Sequence, residues 1–136
     1  MNTGTESTAP YALVVDDDDA IRMDVVQILE EAGFRTLDAA DADIAFGLLE
    51  DYDGSITLLF TDVEIPGSRN GFAIARETAQ RWPQIAIVVA SANIRPGPDD
   101  MPDGARFLGK PFSAEMVHSH LREILPEGQK PEPLRR

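Results

Sequence analysis

The sequence contains no cysteine and is short of positive charge, and both deficits narrow the kinds of protein it could be. Without cysteine it has no disulfides, thiolate zinc sites or cysteine nucleophiles, which suits a reducing compartment. Its 12 Lys and Arg residues stand against 24 Asp and Glu, a net charge of -12. That charge repels phosphate backbones and anionic lipid, so we expect no direct binding to nucleic acid or to membranes.

Long apolar runs and nucleotide-binding patterns are missing too. No stretch approaches the roughly 20 apolar residues that cross a bilayer, and the polar start MNTGTESTAP is unlike a secretion signal. Neither G-x-G-x-x-G nor G-x-x-x-x-G-K-[ST] occurs. We expect a cytoplasmic protein with one folded domain, because 136 residues leave little room for a second.

Hydrophobic residues make up 43% of the chain, enough to build a core. Short apolar runs alternate with segments of helical spacing, a pattern typical of parallel strands joined by crossover helices. The predicted strands are YALVVD, RTLDA, ITLLFTD, IAIVVAS and ARFLG. The predicted helices run from about Asp19 to Ala32, from an Asp41 cap to the DYDG turn, from Gly71 to Trp82, and onward from a Ser113 cap.

This order of elements predicts an α/β fold, a doubly wound five-stranded parallel sheet with helices on both faces. The segment NIRPGPDDMPDG has three prolines and two glycines, so the helix expected between the last two strands should be short or irregular. We expect a folded domain over residues 11–125, with flexible tails at residues 1–10 and 126–136.

Polar side chains follow four of the predicted strands. Asp16 and Asp17 end the first strand, Asp62 the third and Ser91 the fourth, and Lys110 follows the fifth. Ligands of such sheets bind beyond the carboxyl ends of the strands. Gathered carboxylates without cysteine or a well-placed histidine favour Mg²⁺ or Ca²⁺, and so few carboxylates favour Mg²⁺. An ammonium and a hydroxyl beside them indicate a site for a phosphoryl group.

Each of these residues alone has an ordinary structural explanation. The run DDDD at 16–19 could be a solvated helix start, and at least Asp18 and Asp19 belong to it. Single Asp, Ser or Lys residues at strand ends are usually turn or surface residues. Only the joint placement favours a functional site. His118 and His120 lie two apart on a helix and face different ways, so we assign them no metal role.

Four segments together resemble the receiver domain of two-component response regulators. They are LVVDDD, LLFTDVEIPG, VVASA and FLGKPF, in that family's order and near its spacing, and the resemblance covers about Tyr11 to Leu125. It implies a flavodoxin-like sheet with strand order 2-1-3-4-5. It also implies that Asp62 is the phosphoacceptor, and that Asp16, Asp17, Asp62 and the main-chain carbonyl of Glu64 hold Mg²⁺.

The resemblance assigns roles to three further residues. Lys110 would pair with the phosphoryl group, Ser91 would be the switch hydroxyl, and Phe107 would be the aromatic residue that turns inward on activation. The implied donor is a histidine kinase or a histidine phosphotransfer protein, with a downstream protein as target. The implied activity is self-phosphorylation and autodephosphorylation, which is not enzyme turnover of an external substrate.

Some features depart from the family pattern. The loop between Pro66 and Gly71 is one residue longer than usual, a variant associated with hybrid histidine kinases, and Glu64 adds a carboxylate beside the acceptor. Two other hypotheses remain open at this point. One is a phosphatase similar to haloacid dehalogenases with Asp62 as nucleophile, although that family has its nucleophile on the first strand. The other is an adaptor that binds its partner without phosphorylation.

Overall fold

The computed structural model describes residues 9–135. All five predicted strands and all four predicted helices are present, with shifts of one or two residues at their ends. In chain order they are β1 (Tyr11–Val15), α1 (Asp19–Glu31), β2 (Arg35–Ala39), α2 (Ala42–Asp51), β3 (Ile56–Asp62), α3 (Gly71–Arg81), β4 (Ala86–Ser91), β5 (Arg106–Gly109) and α4 (Ala114–Ile124). The predicted N-terminal tail lies outside the described residues except for Ala9 and Pro10.

The strands form one parallel sheet in the order β2-β1-β3-β4-β5, which confirms the predicted fold class and strand order. Val15 of β1 pairs with Thr61 of β3, and Thr61 pairs with Val89 of β4. This register brings the carboxyl ends of the central strands to the same edge of the sheet. The residues that follow Val15 and Thr61 are therefore neighbours in space.

The core has two layers, one on each face of the sheet. The buried side chains of α2 and α3 pack on one face together with Leu13, Leu59 and Val89. Those of α1 and α4 pack on the other face with Leu58 and Val88. Strand residues alternate between the two layers, because successive side chains of a strand point to opposite faces. Both faces are covered, which explains the nearly continuous apolar strands.

Each α-helix begins at a side-chain cap, as helix termini with unpaired N–H groups require. Asp18, Asp41, Asn70 and Ser113 each accept a hydrogen bond from the backbone N–H three residues further on. The predicted caps at Asp41 and Ser113 are confirmed. Asp18 has the structural role that its position in the DDDD run indicated.

The segment between β4 and β5 lies entirely within the described residues and contains no helix, as its prolines predicted. Met101 and Ala105 pack against the layer formed by α2 and α3 and partly cover the sheet there. The Arg76 guanidinium donates a 2.8 Å hydrogen bond to the carbonyl of Asp100 and ties the segment to α3. An irregular, exposed loop therefore stands where the crossover helix would be.

Residues after α4 pack against the domain, although their composition predicts a flexible tail. Two short 3-10 turns, Glu127–Gln129 and Glu132–Arg135, lie near the amino ends of β2 and β3, and Leu134 is 3% exposed within the layer of α1 and α4. Gly33 has a φ of +105° and lies so close to the tail that a Cβ there would be 2.6 Å from the Cβ of Pro131. Within the described residues, no helix is long and apolar enough to cross a membrane.

Candidate functional site

Three carboxylates meet at the carboxyl edge of the sheet. Asp16 directly follows β1 and Asp62 is the last residue of β3, and they are 4% and 7% exposed, whereas Asp17 is exposed. One carboxylate oxygen of each lies within 4.8 Å of the others. The cluster follows from the sheet register, which places the ends of β1 and β3 side by side.

Lys110, which follows β5, provides the positive charge of this cluster. Its Nζ donates a 2.8 Å hydrogen bond to Oδ1 of Asp62 and lies 3.5 Å from Oδ2 of Asp16. Burial alone lowers the pKa of Lys110, but the hydrogen bond and charge of Asp62, with the charge of Asp16, outweigh it and raise the pKa overall. The lysine is therefore a fixed cation at neutral pH.

Asp16 is the carboxyl of the cluster whose pKa is raised. Burial raises its pKa, and the nearby charge of Asp62 adds to the effect. The hydrogen bond from the Asp18 N–H and the charge of Lys110 act in the opposite direction without cancelling it. One ammonium is thus not enough to compensate the buried negative charge here.

This donor set fits a hard divalent cation. Among the residues described, Asp16, Asp17 and Asp62 form the one group of three or more His, Cys, Asp or Glu side chains close enough to share an ion. All three offer oxygen atoms, and Mg²⁺ prefers one or two carboxylates together with water and phosphate oxygens. A dication would also supply the compensation that Asp16 lacks. Glu64, whose carbonyl was predicted as a further ligand, is exposed two residues beyond Asp62.

Gly71 lies directly against the main chain of Asp62, a contact that the sequence did not predict. Its N–H donates a 2.8 Å hydrogen bond to the carbonyl of Val63. A Cβ on Gly71 would overlap the carbonyl oxygen of Asp62 and lie 2.8 Å from the Cα of Val63. Only glycine lets α3 begin this close to the end of β3. The sequence signal was a glycine at the first position of a helix, where no turn requires one.

Ser91 is the last residue of β4, and Phe107 lies within β5, paired with Val89. The Ser91 hydroxyl is buried and accepts hydrogen bonds from the N–H groups of Asn93 and Ile94, at 3.2 and 3.0 Å. These bonds tie it to the start of the loop that replaces the crossover helix. Phe107 is half-buried and packs against the layer of α2 and α3.

The lengthened loop after Asp62 is held by Arg69, which the sequence analysis also missed. Its guanidinium pairs with Glu77 on α3 at 2.9 Å and with Asp43 on α2 at 3.2 Å. It also lies 4.4 Å from the centre of the Phe46 ring. Nothing in the local sequence marks Arg69, because its partners come from two other helices.

The two histidines of α4 lie outside the acidic cluster. A ring nitrogen of His118 is 3.0 Å from the carbonyl of Ile28, a contact between α4 and α1. Neither histidine belongs to the group of side chains that could share an ion. The geometry around His118 is that of a contact between helices.

Comparison with known proteins identifies the family. Residues 12–122 match the response regulator receiver domain family. The match spans all five strands and most of the chain, so the chain belongs to this family. Family membership favours the receiver interpretation over the phosphatase-like one.

Two curated relatives from Brucella abortus (strain 2308) illustrate the family's range. The response regulator receiver protein CpdR is 31% identical over 121 residues, covering 87% of this chain and 92% of that protein. The sensor kinase CckA is 31% identical over 124 residues, covering 88% of this chain but only 13% of the kinase. This chain therefore corresponds to a small part of some relatives and to nearly all of others.

Solved structures agree with the fold. The crystal structure of the receiver domain from the hybrid histidine kinase CckA superposes with a TM-score of 0.73 at 26% identity. The superposition covers 85% of this chain and 99% of that domain. The architecture described above is thus that of a receiver domain.

Proposed function

We propose that this protein is a Mg²⁺-dependent phosphoacceptor. Asp62 takes a phosphoryl group from a phosphohistidine, carried by a histidine kinase or a histidine phosphotransfer protein, and the domain then signals to a downstream protein or passes the group on. The observation that carries the proposal is the meeting of Asp16, Asp17, Asp62 and Lys110 at one edge of the sheet. Family membership supports the same function.

The chemistry requires little from the protein beyond position and charge. A carboxylate oxygen of Asp62 attacks phosphorus, the bond from phosphorus to the donor's imidazole nitrogen breaks, and its electron pair stays on that nitrogen. The product is an acyl phosphate on Asp62. Lys110 already pairs with Oδ1 of Asp62, so its ammonium is in place to balance the incoming phosphoryl oxygens.

In this proposal the carboxylates of Asp16, Asp17 and Asp62 and the main-chain carbonyl of Glu64 would hold the metal. When bound, Mg²⁺ would neutralise phosphoryl oxygens during transfer. Attack of water on phosphorus later releases phosphate and restores the Asp62 carboxylate. We propose no turnover of an external substrate, so the protein is a signalling domain and not an enzyme in that sense.

We propose that Ser91 couples phosphorylation of Asp62 to a conformational change in the loop that follows β4. In this proposal the Ser91 hydroxyl turns toward the phosphoryl group on Asp62 and gives up the hydrogen bonds that it accepts from the N–H groups of Asn93 and Ile94. Their loss frees the start of the loop at residues 92–105, and Phe107 repacks beside it. This is a shift between two packings of one face. In this chain the shift acts on a loop instead of a crossover helix.

We place the protein in the cytoplasm in this proposal, because a chain without cysteine needs no oxidising compartment to form disulfides. Its charge of -12 supports protein partners over nucleic acid or membrane surfaces.

The proposal is tested by incubating the full chain with acetyl phosphate and Mg²⁺ and measuring intact mass. We expect an added phosphoryl group that hydroxylamine removes and that chelation of the metal prevents. Asp62→Asn should abolish the adduct, whereas Asp99→Asn, an exposed acid in the loop after β4, should leave it intact. An adduct of equal yield in Asp62→Asn would contradict the proposal.

A further inference from the structure

Arg22 is the most highly connected side chain near the acidic cluster, and none of the roles above involves it. Its guanidinium donates three hydrogen bonds, one from each nitrogen: to the main-chain carbonyl of Asp16 at 2.8 Å, to Asp38 at 2.7 Å and to Asp19 at 2.7 Å. The side chain is 14% exposed. It lies in the first turns of α1 and points back toward the helix start, as long helical side chains do.

The contact with Asp16 is to its backbone and not to its carboxylate. The carbonyl of Asp16 belongs to the peptide unit that joins Asp16 to Asp17, the two acids of the loop after β1. The N–H of Asp16 is bound to the carbonyl of Ala39, and its Oδ1 accepts from the N–H of Asp18. Arg22 adds a restraint on the peptide unit itself, because its guanidinium binds the carbonyl oxygen of that unit.

Asp38 and Asp19 accept hydrogen bonds from two further nitrogens of the guanidinium, Nε and Nη2. Asp38 lies on β2 and Asp19 at the start of α1, so the arginine joins a strand, a helix and the acidic loop. The planar guanidinium carries its donors on three nitrogen atoms in a fixed arrangement, so it reaches acceptors on three separate segments, whereas a lysine ammonium carries its three donors on one atom. A lysine ammonium at the end of a flexible chain does not reproduce this arrangement.

We propose that Arg22 is a positioning residue: through the carbonyl of Asp16 it orients the carboxylates of Asp16 and Asp17 for the divalent cation. This inference rests on the proposed function, because it presumes that these carboxylates hold Mg²⁺. It assigns Arg22 no contact with the cation or with the phosphoryl group. Groups that orient metal ligands from outside are often worth 10–100-fold in metal affinity.

The alternative, that Arg22 only forms surface ion pairs, predicts the opposite sign. Removing a cation next to several carboxylates makes the cluster more negative and should tighten the binding of a dication. Losing the orientation of the Asp16–Asp17 peptide unit should weaken it. The direction of the change in Mg²⁺ affinity therefore separates the two explanations.

The experiment is a MgCl₂ titration of the full chain, followed by the amide NMR signals of Asp17 and Val63. We expect Arg22→Met to weaken Mg²⁺ binding by about tenfold and to shift the Asp17 amide signal before any metal is added. Arg22→Lys keeps the charge and loses the planar group, so it should recover little of the affinity. If the methionine variant does not fold, the lysine variant carries the same test.

Arg106→Met is the matched control, since Arg106 pairs with a single carboxylate, Glu123, at 2.6 Å at the far end of β5. Its Mg²⁺ affinity should equal that of the unchanged chain. Unchanged or tighter binding in Arg22→Met, or full recovery in Arg22→Lys, would overturn the inference while leaving the proposed function intact. An unchanged chain that binds no Mg²⁺ would overturn both.

Discussion

The two ends of the sheet differ in the kind of side chain that they bury: charged residues at one end and apolar residues at the other. At the carboxyl end, buried Asp16 and Asp62 share one ammonium from Lys110. At the other end, Pro131 and Leu134 of the C-terminal tail close the domain by apolar contact. One end holds charges whose burial opposes folding, and the other removes apolar surface from water, which favours it.

This contrast indicates that stability and chemistry are separated along the strands. Burial raises the pKa of Asp16, so the ionised site works against folding until a cation compensates it. Apolar burial in the two core layers and in the docked tail offsets the free-energy cost of this charged site. Changes at one end should therefore alter ligand binding, and changes at the other end should alter only the free energy of unfolding.

Gly71→Ala is expected to have the largest effect, because the new side chain pushes directly on the end of the strand that carries Asp62. The new Cβ would overlap the main chain of Asp62, and forcing atoms into packed structure destabilises by about 3 kcal/mol or more in severe cases. We expect a large fall in the denaturant midpoint and loss of phosphorylation by acetyl phosphate.

The control for this substitution is Gly47→Ala. Gly47 is exposed in the middle of α2, and nothing lies within 4 Å of a Cβ there. The change should stabilise the protein by up to about 1 kcal/mol and leave phosphorylation unaltered. Equal stability in the two alanine variants would mean that Gly71 does not approach Asp62 as described.

Leu134→Ala tests the opposite end of the sheet. Leu134 is buried in the layer of α1 and α4, and truncation of a buried leucine typically destabilises by about 2 kcal/mol or more. Chemical denaturation should show this loss, while the Mg²⁺ affinity should remain that of the unchanged chain. A tail that is not docked would give the same unfolding free energy in both proteins.

Asp16→Asn should raise the thermal midpoint by a few degrees in metal-free buffer at pH 7, because it removes a buried charge. The folded-state pKa of Asp16 is raised above its ordinary value of 3.8, so the folded protein takes up this proton before the unfolded chain does. The stability lost to ionisation therefore returns as the pH falls through the folded-state pKa. The gap between variant and unchanged chain should narrow toward pH 4, and a gap that widens would contradict the assignment.

Arg106→Gln should have the smallest effect. Its ion pair with Glu123 is exposed at both partners and far from either the site or the tail. Such surface pairs contribute about 0–1 kcal/mol, so denaturation and phosphorylation should both be nearly unchanged. A large effect would show that the edge strand β5 depends on this pair.

The sequence predicted the elements well because their signals are local. Asp41 and Ser113 are caps whose partners lie three residues away, and the prolines between β4 and β5 exclude a helix wherever they are placed. The strand ends at Asp16, Asp62 and Lys110 could also be identified, since parallel topology brings them to one edge. The gathering of these side chains needed only the order of the strands.

The residues that sequence reasoning missed depend on segments distant along the chain. Gly71 matters because α3 begins against the main chain of Asp62, and Leu134 is buried because α1 and α4 leave a place for it. Tail composition alone predicts flexibility, as the polar and proline-rich residues outnumber the single leucine.

By itself, then, the sequence determined the alternation of strands and helices, the helix caps and the acids at the strand ends, all of which follow from spacing over a few residues. Only the tertiary structure decided which further groups support those acids: the glycine whose backbone lies against Asp62 and the arginine bound to the carbonyl of Asp16. The physical reason is the separation along the chain over which each kind of interaction acts. Propensity and periodicity act between neighbours in the chain, whereas hydrogen bonds, burial and charge act between neighbours in space.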